Sequence, residues 1–176
     1  MGEGIDWRLH RAVGLSDLAS LLATGFSFPD GKLAQALSNG AFLDDWRASI
    51  VDACGGESAG DVHLSSRCAA AFAETDEGLL RREYSRLFLA PGVDVPIWPY
   101  ESPFLHRMVG AQGAPSLFRT RISMDVERCM AAAGVATVDL RREPVDSVFH
   151  ELEFLAYLHA CIGEALRVGN GDAERE

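Results

Sequence analysis

Apolar residues recur every three or four positions along most of this chain, which is the spacing of one face of an α-helix. The first such stripe, Leu18, Leu21 and Leu22, follows Ser16, a residue suited to an N-cap, and Gly25 closes it. No segment alternates apolar and polar residues for long enough to indicate a β-sheet. The helical spacing predicts further helices over residues 30–39, 41–54, 64–74, 75–88, 102–110, 116–134 and 146–169.

These elements predict an all-α fold, a single compact bundle of about seven or eight helices with short connections. The bundle takes in residues 1–176 as one domain, and residues 1–14 and 170–176 are expected to be loose ends. Asp30 is expected to cap a short helix near the N-terminus, and Asp146 is expected to cap the last helix. Because 48% of the residues are hydrophobic, the chain has enough apolar material to bury a proper core.

The stretch from residue 83 to residue 102 changes from helix to loop. Tyr84, Leu87 and Phe88 form an apolar stripe on the last turns of a helix. Pro91 and Gly92 are expected to end that helix, because proline disfavours the helical conformation of the residue before it and glycine tolerates a positive φ.

Two large rings follow in the same stretch, Trp98 and Tyr100, with Pro99 between them and Pro96 before them. Prolines stiffen an extended loop, and a rigid aromatic loop loses little entropy when it binds a partner. The loop is therefore either a contact surface for a partner or a cover over the core, with Trp98 as its plug.

The net charge of −10 argues against a nucleic-acid partner, because phosphate groups require lysine and arginine. It is compatible with a basic partner, although acidic surfaces often serve solubility alone. No run approaches the roughly 18–20 apolar residues of a membrane-spanning helix, so no stable membrane insertion is expected. The first residues include Glu3 and Asp6 and lack an apolar segment, which indicates a cytoplasmic protein without a signal peptide.

Motifs for catalysis, cofactor binding or metal binding are missing from the sequence. There is no glycine-rich phosphate loop, and His150-Glu151 lacks the second histidine of a zinc motif because position 154 is phenylalanine. The four acids within residues 143–153 are most simply an N-cap and first-turn acids that favour the helix dipole. We therefore predict no catalytic residue, no metal and no cofactor, and the scattered cysteines are expected to be thiols buried on helices: Cys54, Cys68, Cys129 and Cys161.

Two segments of the chain together resemble a known family. The first is Tyr84-x-x-Leu87-Phe88, followed by Pro91-Gly92 and by Pro99-Tyr-Glu-Ser102. It resembles one signature of the TorD/DmsD family of redox-enzyme maturation chaperones, which are related more distantly to NarJ. The second family signature, Glu-Pro-x-Asp-His at the start of a helix, stands here as residues 143–147 with Ser147 in place of the histidine. A hydroxyl group can form a hydrogen bond there, but it cannot titrate near neutral pH.

The resemblance implies a TorD/DmsD-like, all-helical cytoplasmic chaperone without catalytic activity. Such chaperones bind the twin-arginine signal peptide and the apo catalytic subunit of a molybdopterin oxidoreductase, and they hold back export until the molybdenum cofactor is inserted. The signature residues and the aromatic loop between them are the implied peptide-binding site: Tyr84, Leu87, Phe88, Pro91, Gly92, Trp98, Pro99, Tyr100, Glu101, Ser102, Glu143, Pro144, Asp146 and Ser147.

Physical chemistry agrees with that implication, because a twin-arginine peptide combines cationic side chains with an apolar stretch. Glu143, Asp146 and Glu101 could hold the guanidinium groups, while the aromatic and leucine residues could form an apolar groove. Two alternatives stay open: a helical nucleotide-binding protein or weak GTPase, and a regulatory helical adaptor. The chain could act as a monomer or as a domain-swapped homodimer.

Overall fold

Eight α-helices account for most of the chain that the computed structural model describes, which is residues 2–56, 58–89, 95–136 and 143–173. Those ranges contain no strand, only one isolated antiparallel bridge, so the prediction of an all-α domain of seven or eight helices is confirmed. The helices, in chain order, are α1 Gly2–Phe26, α2 Gly31–Ser38, α3 Ala41–Cys54, α4 Ala59–Ala73, α5 Glu77–Phe88, α6 Glu101–Met108, α7 Arg121–Ala132 and α8 Val148–Ala173.

The first helix starts well before the position that the sequence suggested. We expected a loose end up to residue 14 and an N-cap at Ser16, whereas α1 already begins at Gly2. Ser16 lies in the middle of α1, and its hydroxyl donates a hydrogen bond to the backbone oxygen of Ala156 on α8 at 2.9 Å. The predicted cap is therefore wrong, because Ser16 joins two helices instead of starting one.

Small residues allow α1 to pack closely against both α8 and α3. Ala12, Ala19 and Ala23 are buried on α1, and Ala156 is buried on α8. At Gly14, α1 meets the backbone of α3 so closely that a β-carbon would lie only 2.7 Å from a backbone oxygen. The two longest helices and α3 thus form the centre of the bundle, and α2 packs beside α3, α4 and α5.

Aspartate side chains cap α2 and α5, and the first of these caps was predicted from the sequence. The Asp30 carboxylate accepts a hydrogen bond from the backbone N–H of Leu33 at 2.9 Å, which confirms it as the N-cap of α2. Asp76 caps α5 in the same way through the N–H of Leu79 at 2.7 Å. The predicted third helix, residues 41–54, is confirmed at both ends.

The helix predicted from residue 116 begins later, at Arg121, with Thr120 as its N-cap. Arg119 has a φ of 56°, the left-handed conformation that a right-handed helix cannot include. Thr120 then accepts a hydrogen bond from the N–H of Ser123 at 2.9 Å. The predicted start at Ser116 is therefore wrong, although the helix itself is confirmed.

The cysteines are free, as predicted, but they are not buried. Cys54, Cys129 and Cys161 are exposed and Cys68 is half-buried, so the expectation of buried thiols is wrong. None of the helices in the described ranges has the length and apolarity that crossing a membrane requires.

Candidate functional site

The two predicted signature segments lie side by side, although 44 residues separate Ser102 from Asp146. The N–H of Glu101 donates to the backbone oxygen of Asp146 at 2.9 Å, and the N–H of Val148 donates to that of Pro99 at 2.8 Å. These two bonds flank an antiparallel bridge between Tyr100 and Ser147. The start of α6 is thereby fixed to the start of α8.

Asp146 is fully buried and caps α6, not the helix that follows it. Its Oδ2 atom accepts hydrogen bonds from the N–H of Ser102, at 2.9 Å, and from the hydroxyl of the same residue. The N-cap position of α6, Tyr100, makes no side-chain cap of its own, so Asp146 satisfies an N–H that the helix leaves unpaired.

Ser147 takes the capping role that the sequence assigned to Asp146. Its hydroxyl accepts from the N–H of His150 at 3.3 Å, and its backbone oxygen accepts from the N–H of Glu151 at 3.0 Å. This is the geometry of an N-cap for α8. The prediction that Asp146 caps the last helix is therefore wrong by one residue, and the serine at the family's histidine position has a structural function.

A chain of hydroxyl groups extends this buried cluster to α7. The Ser102 Oγ atom lies 2.5 Å from the Oγ1 atom of Thr120, the N-cap of α7. Asp146, Ser102 and Thr120 therefore connect the first turns of α6 and α7 with the segment that leads into α8. A negative carboxylate is favourable where the positive ends of helix dipoles converge.

Glu143 influences two tyrosines of the candidate site. The hydroxyl of Tyr100 donates a hydrogen bond to Glu143 Oε1 at 2.9 Å. Burial first, and then the charge of Glu143, raise the pKa of Tyr100 well above its ordinary value. Burial and the same carboxylate also raise the pKa of Tyr84, whose hydroxyl donates to the backbone oxygen of Phe26 at 3.1 Å. Both phenols therefore remain protonated donors near neutral pH.

An acidic cleft of about 270 Å³ opens between α6, α8 and the aromatic loop. Two acidic residues, Glu101 and Glu151, are among its lining residues, and the other side chains that line it are mostly apolar. Burial first, and then the charges of Glu101 and Asp146, raise the pKa of Glu151 to about 7. The residues that line the acidic cleft are Phe26, Phe88, Ile97, Trp98, Pro99, Tyr100, Glu101, Phe104, Val148 and Glu151.

An apolar cavity of about 360 Å³ lies on the other side of the Phe26 and Phe88 rings. The ring centroids are 6.4 Å apart in an edge-to-face arrangement, and both rings line the cavity as well as the acidic cleft. The residues that line the apolar cavity are Leu21, Leu22, Gly25, Phe26, Pro29, Leu33, Leu37, Phe42, Trp46, Phe72, Leu80, Glu83, Tyr84, Leu87 and Phe88.

The structure divides the sequence-predicted site residues into three groups. Tyr84, Leu87 and Phe88 line the apolar cavity, and Phe88 also belongs to the acidic cleft with the segment 98–101. The residues that frame the cleft from behind, without lining it, are Ser102, Glu143, Pro144, Asp146 and Ser147. Pro91 and Gly92 lie outside the described residues.

Sequence reasoning missed five residues of the acidic cleft. One is Ile97 in the loop, and the others lie on three helices: Phe26 on α1, Phe104 on α6, and Val148 and Glu151 on α8. Glu151 was visible only as one acid in a cluster, and its position three residues after Val148 is the signal that places both on the same face of α8. Trp98 is half-buried against the cleft, so it is neither a plug of the core nor a free side chain.

Comparison with known protein families finds one family model that matches this chain. A family model described as the nitrate reductase delta subunit matches residues 56–175, which include α4 to α8 and both signature segments. No curated protein and no solved structure matches the chain. Within the part of the chain that the structure describes, no group of three or more His, Cys, Asp or Glu side chains could hold a metal ion.

Proposed function

The chain belongs to the nitrate reductase delta subunit family, a family of maturation chaperones for molybdoenzymes, and we propose that it binds a twin-arginine signal peptide on the apo catalytic subunit of its client. The family match confirms the resemblance to redox-enzyme maturation chaperones. In this proposal the protein shields the peptide until the molybdenum cofactor is inserted, and only then does the client proceed to export.

The observation that carries the proposal is the shared wall between the acidic cleft and the apolar cavity. Phe26 and Phe88 line both, so a peptide that passes their rings meets two carboxylates on one side and an apolar surface on the other. A twin-arginine signal peptide has the matching order, with cationic side chains followed by an apolar stretch. The net charge of −10 would speed the encounter with such a cationic peptide.

In this proposal some residues of the two signatures contact the peptide, and others hold the helices of the site in position. Tyr84, Leu87 and Phe88 contact the apolar stretch of the peptide, while Trp98 and Glu101 contact its cationic part. Asp146 and Ser147 have no exposed surface, so their contribution is to hold α6 and α8 in register. Glu143 orients the Tyr100 ring at the edge of the cleft.

The proposal is tested by titrating the purified protein with three labelled peptides. The first contains an Arg-Arg pair followed by an apolar stretch, the second has both arginines changed to lysine, and the third has serines in the apolar stretch. We expect the first to bind most tightly, because lysine cannot make planar bidentate contacts and serine loses the apolar contact. Absence of binding for all three peptides would contradict the proposal.

A matched pair of protein variants tests the apolar cavity. Gly25 lines the cavity, and a β-carbon there would lie 4.0 Å from its nearest neighbour, the Phe42 ring. Gly25→Leu therefore fills the cavity without removing a wall, and it is expected to weaken binding of the first peptide. Thr24→Leu adds similar bulk at an exposed neighbour that does not line the cavity, so its affinity is expected to stay that of the wild type.

Salt provides an independent measure of the electrostatic contribution. Contacts between arginine and partly exposed carboxylates are screened as ionic strength rises, so the affinity of the first peptide is expected to fall with added salt. The peptide with lysines should show a fall of its own from a lower starting affinity. An affinity that stays flat with salt would indicate a purely apolar groove.

A further inference from the structure

The acidic cleft holds two carboxylates that repel each other in partly apolar surroundings. Glu101 enters from the first turn of α6 and Glu151 from the first turns of α8. Among the described residues, the charged groups that act on Glu151 are Glu101 and the buried Asp146 in front of α8. Two like charges at such a site are unfavourable unless a proton or a cation neutralises one of them.

Two carboxylate oxygens near this cleft are buried and accept no hydrogen bond from the described part of the chain. They are Glu151 Oε1 and Asp146 Oδ1. A buried acceptor without a donor costs about 1–3 kcal/mol, and more when it is charged. A ligand that brings N–H donors to the cleft would supply the missing donor of Glu151, which lines the cleft, whereas Asp146 lies behind the cleft and stays out of its reach.

The size and walls of the cleft restrict what such a ligand can be. Its volume of about 270 Å³ is below the roughly 300–1,000 Å³ of pockets for drug-sized ligands, and it suits a single large side chain. Aromatic walls, including Trp98 and Phe88, favour a planar cation over their ring faces. A guanidinium group is planar, always charged and rich in donors, and it combines these properties better than an ammonium group.

We propose that the acidic cleft binds the guanidinium group of one arginine side chain of the client peptide between Glu101 and Glu151, and that Glu151 releases a proton when this happens. The inference rests on the proposed function, because it assigns one subsite of the same peptide groove. In the free protein Glu151 carries the proton for part of the time near neutral pH. On binding, the O–H bond of its carboxylic acid breaks, the proton passes to solvent, and the carboxylate pairs with the guanidinium cation.

Proton release can be measured by isothermal titration calorimetry at about pH 6.5, with the Arg-Arg peptide as the probe. The same titration is run in phosphate and in Bis-Tris, which both buffer at this pH and whose ionisation enthalpies differ, so the difference in apparent binding enthalpy counts the protons released. We expect the wild type to release most of one proton per peptide at this pH. The affinity is also expected to rise as the pH rises toward about 8, because less work is then needed to deprotonate Glu151.

Three variants separate the subsite from the rest of the groove. Glu151→Gln keeps the size of the side chain, and it is expected to abolish the proton release and to weaken binding by about 10- to 100-fold. Glu101→Gln is expected to weaken binding similarly and to reduce the release, because Glu151 then ionises more easily. Glu153→Gln changes an exposed acid on the same helix and is expected to match the wild type in both measurements.

The outcomes are distinguishable from one another. If Glu151→Gln binds the peptide as tightly as the wild type, or releases as many protons, the subsite is overturned while the chaperone proposal stands. If the wild type binds no peptide at all, both are overturned. A thermal melt of each variant identifies misfolding, and Glu101→Gln decides the question should Glu151→Gln fail to fold.

Discussion

The Asp146 carboxylate accepts a hydrogen bond from the backbone N–H of Ser102, at 2.9 Å and 44 residues away in the chain. It therefore caps α6 from outside, in place of the N-cap residue Tyr100, which forms no side-chain cap. This bond and the neighbouring backbone pairs join the two family signatures into one unit. The acidic cleft lies in front of that unit, so its geometry depends on the capping bond.

Removing the Asp146 carboxylate should destabilise the protein strongly. We expect Asp146→Ala to lower the free energy of unfolding by about 2–4 kcal/mol, because it leaves the N–H of Ser102 buried without its acceptor and removes one of the two partners of the Ser102 hydroxyl. Asp146→Asn should lower the free energy of unfolding by less, since an amide oxygen can still accept one hydrogen bond. Urea denaturation measures both, and Glu164→Ala, which removes only an exposed surface pair with Arg167, is the control and should change little. A loss of less than about 1 kcal/mol for Asp146→Ala would contradict the external cap.

Replacing Gly14 with alanine should be costly, although alanine is the better helix former. A β-carbon at Gly14 would lie 2.7 Å from the backbone oxygen of Ser49 and 2.8 Å from the backbone carbon of Asp52, and backbone atoms of a packed helix cannot easily move away. We expect Gly14→Ala to lower the midpoint of thermal unfolding and to lower the free energy of unfolding by about 2 kcal/mol or more.

Gly25→Ala is the matched control for Gly14→Ala, because it lies on the same helix and has open space around the added β-carbon. Gly25→Ala is expected either to leave the free energy of unfolding unchanged or to raise it by up to about 1 kcal/mol, which is the difference in helix propensity between glycine and alanine. Equal thermal midpoints for the two variants would mean that α1 and α3 do not approach as closely as described.

The hydrogen bond between Tyr100 and Glu143 should be measurable as a coupling energy. We expect Tyr100→Phe and Glu143→Ala each to lower stability, and the double mutant to lose less than the sum, with a coupling of about 1 kcal/mol. Denaturant midpoints of the four proteins in the cycle provide the value. Tyr157→Phe is the control, because that hydroxyl donates a longer bond of 3.3 Å at an exposed site and should contribute little. Strict additivity would mean that the bond does not contribute to stability.

The stability of the unliganded protein should depend on Glu151 near neutral pH. The pKa of Glu151 in the folded protein is raised from 4.5 to about 7, so the folded state binds more protons than the unfolded state between those values. The contribution of Glu151 to the free energy of unfolding therefore falls as the pH rises through this window and levels off above it.

The measurement is a series of urea denaturation curves from about pH 5 to about pH 8 for the wild type and for Glu151→Gln. The stability of the variant relative to the wild type should increase with pH, and this difference removes every contribution that is the same in both proteins. Glu153→Gln should run parallel to the wild type. A constant difference between Glu151→Gln and the wild type would show that Glu151 titrates normally.

Part of the candidate site could be predicted from the sequence because its residues form local patterns. Tyr84, Leu87 and Phe88 share a helix face by spacing alone, and they line one cavity together. Trp98 and Glu101 were expected in the site from the aromatic loop and the family signature, and both line the acidic cleft. Glu151 could not be selected from the other acids, because its burial depends on residues contributed by α1, α5 and α6.

The sequence by itself determined the helices and most of their ends. Apolar spacing and caps such as Asp30 act between residues three or four positions apart, so the information for them is local. Only the tertiary structure decided that α1 extends to Gly2. It also decided that Asp146 caps α6, by a bond to Ser102 44 residues earlier, and that Ser147 caps α8, the helix that directly follows it. Those outcomes depend on which distant segments meet, because a buried carboxylate bonds to whichever donor the packing brings to it.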